Sequence, residues 1–177
     1  MKKFILFLLL IPISFGFNSV ELSKGIKKKI AKEIKTIFEV ESFVLEAVLI
    51  SDEINKELKT HIGTENLFKI FSESKLIGYA FVDSAPSKTD KFEYLVLFDT
   101  DLIITKSKVL VYREDYGAEI GSKRWLKQFI GLERTNQIKY GKDIKAISGA
   151  TISARSMTIA INNLLKSMNI LRLEKII

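Results

Sequence analysis

The sequence predicts an α+β fold: an antiparallel sheet of about four strands, packed with helices and preceded by an N-terminal helical extension. Three observations carry this expectation. The middle of the chain, roughly residues 67–112, is rich in Ile, Val, Phe and Tyr in short runs. Turn signals separate those runs, and the links are too short for parallel crossovers, which need about a dozen residues or more. On both sides of this block the apolar residues change to helical spacing.

The elements follow in order. The opening residues read as an export signal over residues 1–16: Lys2 and Lys3, an apolar run Phe4–Ile13 too short to span a bilayer, then small residues at Ser14 and Gly16. An uncleaved membrane anchor is the alternative. The mature chain is expected to begin near Phe17, in a periplasmic or other extracytoplasmic space. An N-terminal helical segment, residues 17–62, comes next. Within it, residues 20–38 place Leu22, Ile26, Ile30, Ile34 and Ile37 on one face and lysines on the other. Such a helix either lies on the domain or touches a membrane surface or a partner. A second helix is expected over Phe43–Lys59.

Residues 63–177 form the expected main domain. Its strands are placed at Leu67–Phe71, Leu76–Val82, Phe92–Phe98 and Leu102–Tyr112, separated by "SESK", "DSAPSKTDK" and "DTD". "GSKRWLKQFIG" reads as a short helix with Trp125, Leu126, Phe129 and Ile130 on one face, and "LERTNQIKYGKD" as a polar loop. A long last helix should start near Ser148. Its apolar stripe is Met157, Ile161, Leu164, Leu165, Met168 and Leu171, and its polar stripe is Thr151, Arg155, Thr158 and Asn162.

Composition narrows the chemistry. The 177 residues include no cysteine and one histidine, His61, expected at the surface. Disulfides, thiol chemistry and zinc clusters are thereby excluded, and a Ser–His pair has only His61 to draw on. The net charge of +7 falls to +5 without Lys2 and Lys3, and the basic residues are spread along the chain. Spread charge is a solvated surface, and no nucleic-acid partner is expected.

The most informative stretch is "KAISGATISAR", residues 145–155. With Ser148 as N-cap, Gly149, Ala150 and Thr151 would be the first helical residues, their N–H groups lacking partners within the helix. An anion is favoured there, and Gly149 and Ala150 leave the approach open. An ordinary capped helix is the plain alternative.

"AISGATIS" resembles the flavinylation motif, Ser/Thr-Gly-Ala-Thr, of the FMN-binding domain family, which includes flavin-carrying subunits of the sodium-translocating NADH:quinone reductase and the Rnf complex. A chance occurrence in a chain of this length is about half a percent. "VYREDYGAEIGSKRWLKQFIG", residues 111–131, resembles the stretch upstream of the motif in small exported members. The resemblance covers about residues 75–170. It implies FMN attached covalently through a phosphoester to Thr151, with Ser148, Gly149, Ala150, Ser153, Arg155 and Tyr116 as cofactor-binding residues.

No general base stands out to activate the threonine. The resemblance implies a separate, extracytoplasmic flavin transferase using FAD. It also implies a membrane-bound redox partner and an electron-transfer module rather than a stand-alone enzyme. The competing reading is a binding module that holds FMN noncovalently, or no flavin, and acts through its basic N-terminal helix. Trp125 and Phe129 are either ring neighbours or core, and Arg113, Glu114 and Glu119 either line the site or are solvated. Lys145 stands where many members carry an acidic residue, with Asp143 two positions earlier.

Overall fold

The computed structural model describes residues 23–177. The expected export signal lies outside them. The strands form one five-stranded antiparallel sheet in the order β1-β2-β3-β4-β5: Val44–Ala47, Leu67–Ser72, Lys75–Pro86, Lys91–Phe98 and Ile104–Val111. Each neighbouring pair is consecutive in the chain; short turns join β2 through β5, and a longer link, residues 48–66, joins β1 to β2. The β4–β5 turn shows how sequence sets it: Asp99 Oδ1 accepts from the N–H of Asp101 (3.0 Å) and of Ile103 (2.9 Å), and Leu102 takes a positive φ.

The expected helix over Phe43–Lys59 is not there. Val44–Ala47 is instead β1, a strand beyond the four expected, paired with β2 in the register Val44↔Phe71 to Ala47↔Phe68, and only Asp52–Glu57 is helical (α2). Ser51 explains the late start, since its Oγ accepts from Ile54 N–H at α2's N-terminus. Ahead of it, "FVLEAVLI" meets an open sheet edge, and hydrogen bonds to β2 outweigh a weak helical pattern. Val48 and Ile62 lie in the main core.

The central strands are buried on both faces, so the sheet separates two cores. On one side Leu67, Phe81, Tyr94, Val96 and Phe98 pack with the long helix α4, Thr151–Leu173, through Met157, Ile161, Leu164, Leu165, Met168 and Leu171. The predicted apolar stripe is therefore the buried face. Trp125 and Phe129 join this core, their rings 5.2 Å apart edge to face, from the short α3 (Lys123–Leu126) and the turn after it.

On the other side the N-terminal helix α1, Lys24–Phe38, covers Ile70, Ala80, Val82, Leu95, Leu97 and Leu110 with Ile30 and Ile34. Full burial of two such side chains contributes about 1.5–3 kcal/mol each. Gly78 on β3 lies under Phe38, where a Cβ would collide with the ring. Glu33 then fastens α1 to β5 through Lys108 (2.9 Å) and Lys106 (3.3 Å). Burial alone would raise the Glu33 pKa, but its lysine partners outweigh burial and hold it low. The helix thus spends its apolar stripe on the domain itself. Among the described residues no helix is long and apolar enough to cross a membrane, and His61 is exposed, as expected.

Candidate functional site

Three chain segments meet at the start of α4. The first is the loop 145–150, which arrives from α3's side of the core. Lys145 is held there by its main chain: its N–H donates to Gln128 Oε1 (2.8 Å) and its carbonyl accepts from Trp125 Nε1 (2.7 Å). Trp125 is thus a core residue that also anchors the loop, while the Lys145 side chain is exposed.

The helix starts later than the sequence suggested. Gly149 has φ +79°, which is a left-handed turn, so neither Gly149 nor Ala150 is helical. Thr151 is the first residue of α4, Ala150 occupies the N-cap position, and no side chain caps it. Ser148 is exposed and is not the cap. The first-turn N–H groups of Thr151, Ile152 and Ser153 are consequently left without a capping side chain. Thr151 itself is exposed.

The second segment follows β5. Gly117 also has φ +79°, and a Cβ on it would collide with the Ala150 Cβ and lie 3.0 Å from Gly149 O. Ala150, 3% exposed, therefore seats directly on Gly117. This contact gives the alanine of the motif its physical reason. A larger side chain at either position would lift Thr151 away from the domain. Beside it, Tyr112 Oη bonds Ser153 Oγ (3.1 Å) and donates to Tyr116 O (3.2 Å), tying α4 to this segment and leaving the Tyr116 ring 81% exposed.

The third segment is the β3–β4 turn, Ser87–Asp90. Glu114 gathers it: Oε1 accepts from Ser87 Oγ (2.5 Å), Thr89 N–H (2.7 Å) and Asp90 N–H (3.3 Å), and Oε2 from Thr89 Oγ1 (2.9 Å). The Ser87 hydroxyl, helped by the Thr89 and Asp90 donors, holds the Glu114 pKa down at about 2. Ser156 of α4 donates to the carbonyl of Pro86 and completes the join.

Together these segments enclose a cleft of about 340 Å³, lined by Lys88, Tyr112, Glu114, Tyr116 and residues 149–153. That volume lies within the range of about 300–1,000 Å³ for small-molecule sites. Thr151, Gly149, Ala150, Ser153 and Tyr116 are brought together here. Arg155 is not: its guanidinium lies 5.6 Å over the Tyr140 ring, away from the cleft. Arg113 also turns aside, to Glu93 (2.7 Å) and Asp90 (3.7 Å). Ser148 and Glu119 line a second cleft, about 590 Å³, across the loop with Trp125, Gln128 and Lys145. Thr158 and Asn162 have structural partners: Thr158 Oγ1 donates to Ala154 O, and the Asn162 amide bonds both N–H and C=O of Ile138.

Sequence reasoning missed Lys88, Ser87, Tyr112 and Gly117. Only Gly117, following Tyr116 in a loop, left a signal, since an isolated glycine there marks a close approach or a positive φ. Among the described residues no group of acidic or histidine side chains could hold a metal ion.

Residues 88–166 match the family model of the FMN-binding domain. A comparison with curated proteins gave no match.

Proposed function

We propose, from the match of residues 88–166 to the FMN-binding domain model, that this protein is an exported electron-transfer module whose FMN is joined covalently to Thr151. One observation carries the reading: the threonine hydroxyl is exposed at an uncapped helix N-terminus, inside a cleft large enough for a small-molecule ligand.

The residues present fit such a group. Uncapped N–H groups and the helix dipole favour a phosphate beside Thr151. Gly149 leaves that approach open, a Cβ there meeting nothing within 4 Å. The exposed Tyr116 ring offers a flat apolar neighbour on the cleft wall. Once bound, the flavin would supply the redox chemistry. The protein's task is to orient it, shield one side and hold its phosphate.

Attachment needs a second protein. Among the described residues no His, Asp or Glu is hydrogen-bonded to Thr151, and the carboxylate in the cleft, Glu114, has its oxygens turned to the β3–β4 turn. A flavin transferase would use FAD. The Thr151 oxygen forms a bond to the phosphorus on the FMN side, the pyrophosphate P–O bond breaks, and AMP leaves with the hydroxyl proton accounted for in solvent. Electrons would then pass between the flavin and a membrane-bound partner. The basic outer face of α1 remains available for the membrane surface even though its apolar stripe is buried.

The experiment is intact-mass and peptide mass spectrometry of protein made with an extracytoplasmic flavin transferase. The expected result is one FMN phosphoester on Thr151 and none in Thr151→Val, which keeps the shape and removes the oxygen. Covalent flavin on the Val variant, or none on the wild type, would refute the reading.

A further inference from the structure

We propose that Lys88 is the side chain that meets the phosphate of a flavin carried on Thr151, with Glu114 as the positioning residue that holds Lys88 in place; the inference rests on the Thr151 reading above. Among the described residues Lys88 is the one cation lining the Thr151 cleft. Its neighbours are committed elsewhere, Arg113 to Glu93 and Asp90, and Arg155 to the face of Tyr140. Lys88 makes no side-chain hydrogen bond or ion pair among the described residues and is exposed.

The turn that carries it is unusually well fixed for a surface hairpin. Ser87 N–H donates to Asp90 O at 2.8 Å, and its one hydroxyl proton lies within reach of both Asp90 O (2.7 Å) and Glu114 Oε1 (2.5 Å). The Glu114 carboxylate binds Ser87, Thr89 and Asp90, on both sides of Lys88, and Ser156 ties Pro86 to α4. A tight turn of this length needs no such anchoring for its own sake, since a two- to five-residue hairpin loop closes readily. The anchoring fixes the Lys88 backbone relative to the first turn of α4. The carboxylate keeps its negative charge, and its hydrogen bonds direct both oxygens to the turn. A phosphodiester on Thr151 carries one negative charge, and the helix end and Lys88 would share it.

The test compares flavinylated wild type with Lys88→Gln, and with Lys145→Gln as a control from the other cleft. The phosphorus NMR signal of the attached phosphodiester is compared at neutral pH. The wild type and Lys145→Gln should share one signal position, and Lys88→Gln should move it. Initial flavin incorporation should fall about two- to fivefold in Lys88→Gln, as for an exposed ion pair, and recover in Lys88→Arg. Glu114→Ala should move the phosphorus signal as Lys88→Gln does. Glu114→Gln, whose Oε1 keeps three of the acceptor bonds, should keep the wild-type position. A wild-type phosphorus signal in Lys88→Gln overturns this inference alone. Absence of flavin from the wild type overturns the Thr151 reading and this inference together.

Discussion

Replacing Gly117 with alanine tests whether the Gly117–Ala150 contact fixes the attachment loop. Two costs are expected. The backbone has φ +79°, and holding an L-residue there costs about 1–2 kcal/mol. The added methyl would also collide with Ala150 Cβ and crowd Ala150 Cα at 3.0 Å, and overpacking of this kind costs about 1–3 kcal/mol. The sum, about 2–5 kcal/mol, is a large part of a domain stability of about 5–15 kcal/mol. Gly131 is the internal control, with φ +84° and nothing within 4 Å of an added methyl, so Gly131→Ala meets only the first cost. Urea unfolding should therefore place Gly117→Ala about 1–3 kcal/mol below Gly131→Ala. Adding Ala150→Gly removes the opposing methyl and should recover most of that difference, a coupling readable as a double-mutant cycle. Flavin incorporation should fall in Gly117→Ala and stay near wild type in Gly131→Ala. Equal destabilisation by the two alanines, with no recovery from Ala150→Gly, would refute the claim that this contact seats Thr151.

Two further outcomes follow from charges near the site. The Glu114 pKa is lowered from the ordinary 4.5 to about 2, so its contribution to stability is complete above 4.5 and lost as pH falls from 4.5 towards 2. Urea titrations should show acid sensitivity in that window, flattened in Glu114→Gln, and an unchanged profile in the variant would count against it. Lys145→Asp should leave stability within about 0.5 kcal/mol, as for an exposed site, because Gln128 and Trp125 hold only its main chain. Its flavin incorporation should rise or hold, and a large fall would make Lys145 itself a recognition contact.

Much of the fold was legible because its periodicities are strong. Runs rich in Ile, Val, Phe and Tyr, set apart by turn signals, located four strands over residues 67–112, and the α4 stripe named its buried face. Burial of Ile30 and Ile34 likewise confirmed the packing side of α1. Val44–Ala47 was not legible, since a four-residue edge strand has little pattern of its own and is decided by the neighbour it meets. At the site, the four-residue motif pointed to Thr151, and the fold places Tyr116 in the same cleft. The helix start was misplaced because Ser148 has the right chemistry for a cap, while the left-handed turn at Gly149 ends its chance to act as one. Arg155 was drawn away by Tyr140, a partner fifteen residues back in a loop that spacing along one helix cannot reveal. Lys88 and Glu114 lie in separate turns, and only the sheet brings them together.

The paired bonds from Asn162 to Ile138 bear on how the protein ages chemically. The amide oxygen accepts from Ile138 N–H at 2.9 Å and the amide nitrogen donates to Ile138 O at 2.6 Å. Only one orientation of the amide satisfies both, so the side chain mimics a length of β-ladder and pins the loop that carries Tyr140. Deamidation would exchange that donor nitrogen for oxygen and set a carboxylate against a carbonyl. The loop would then be released by a change in one side chain of α4.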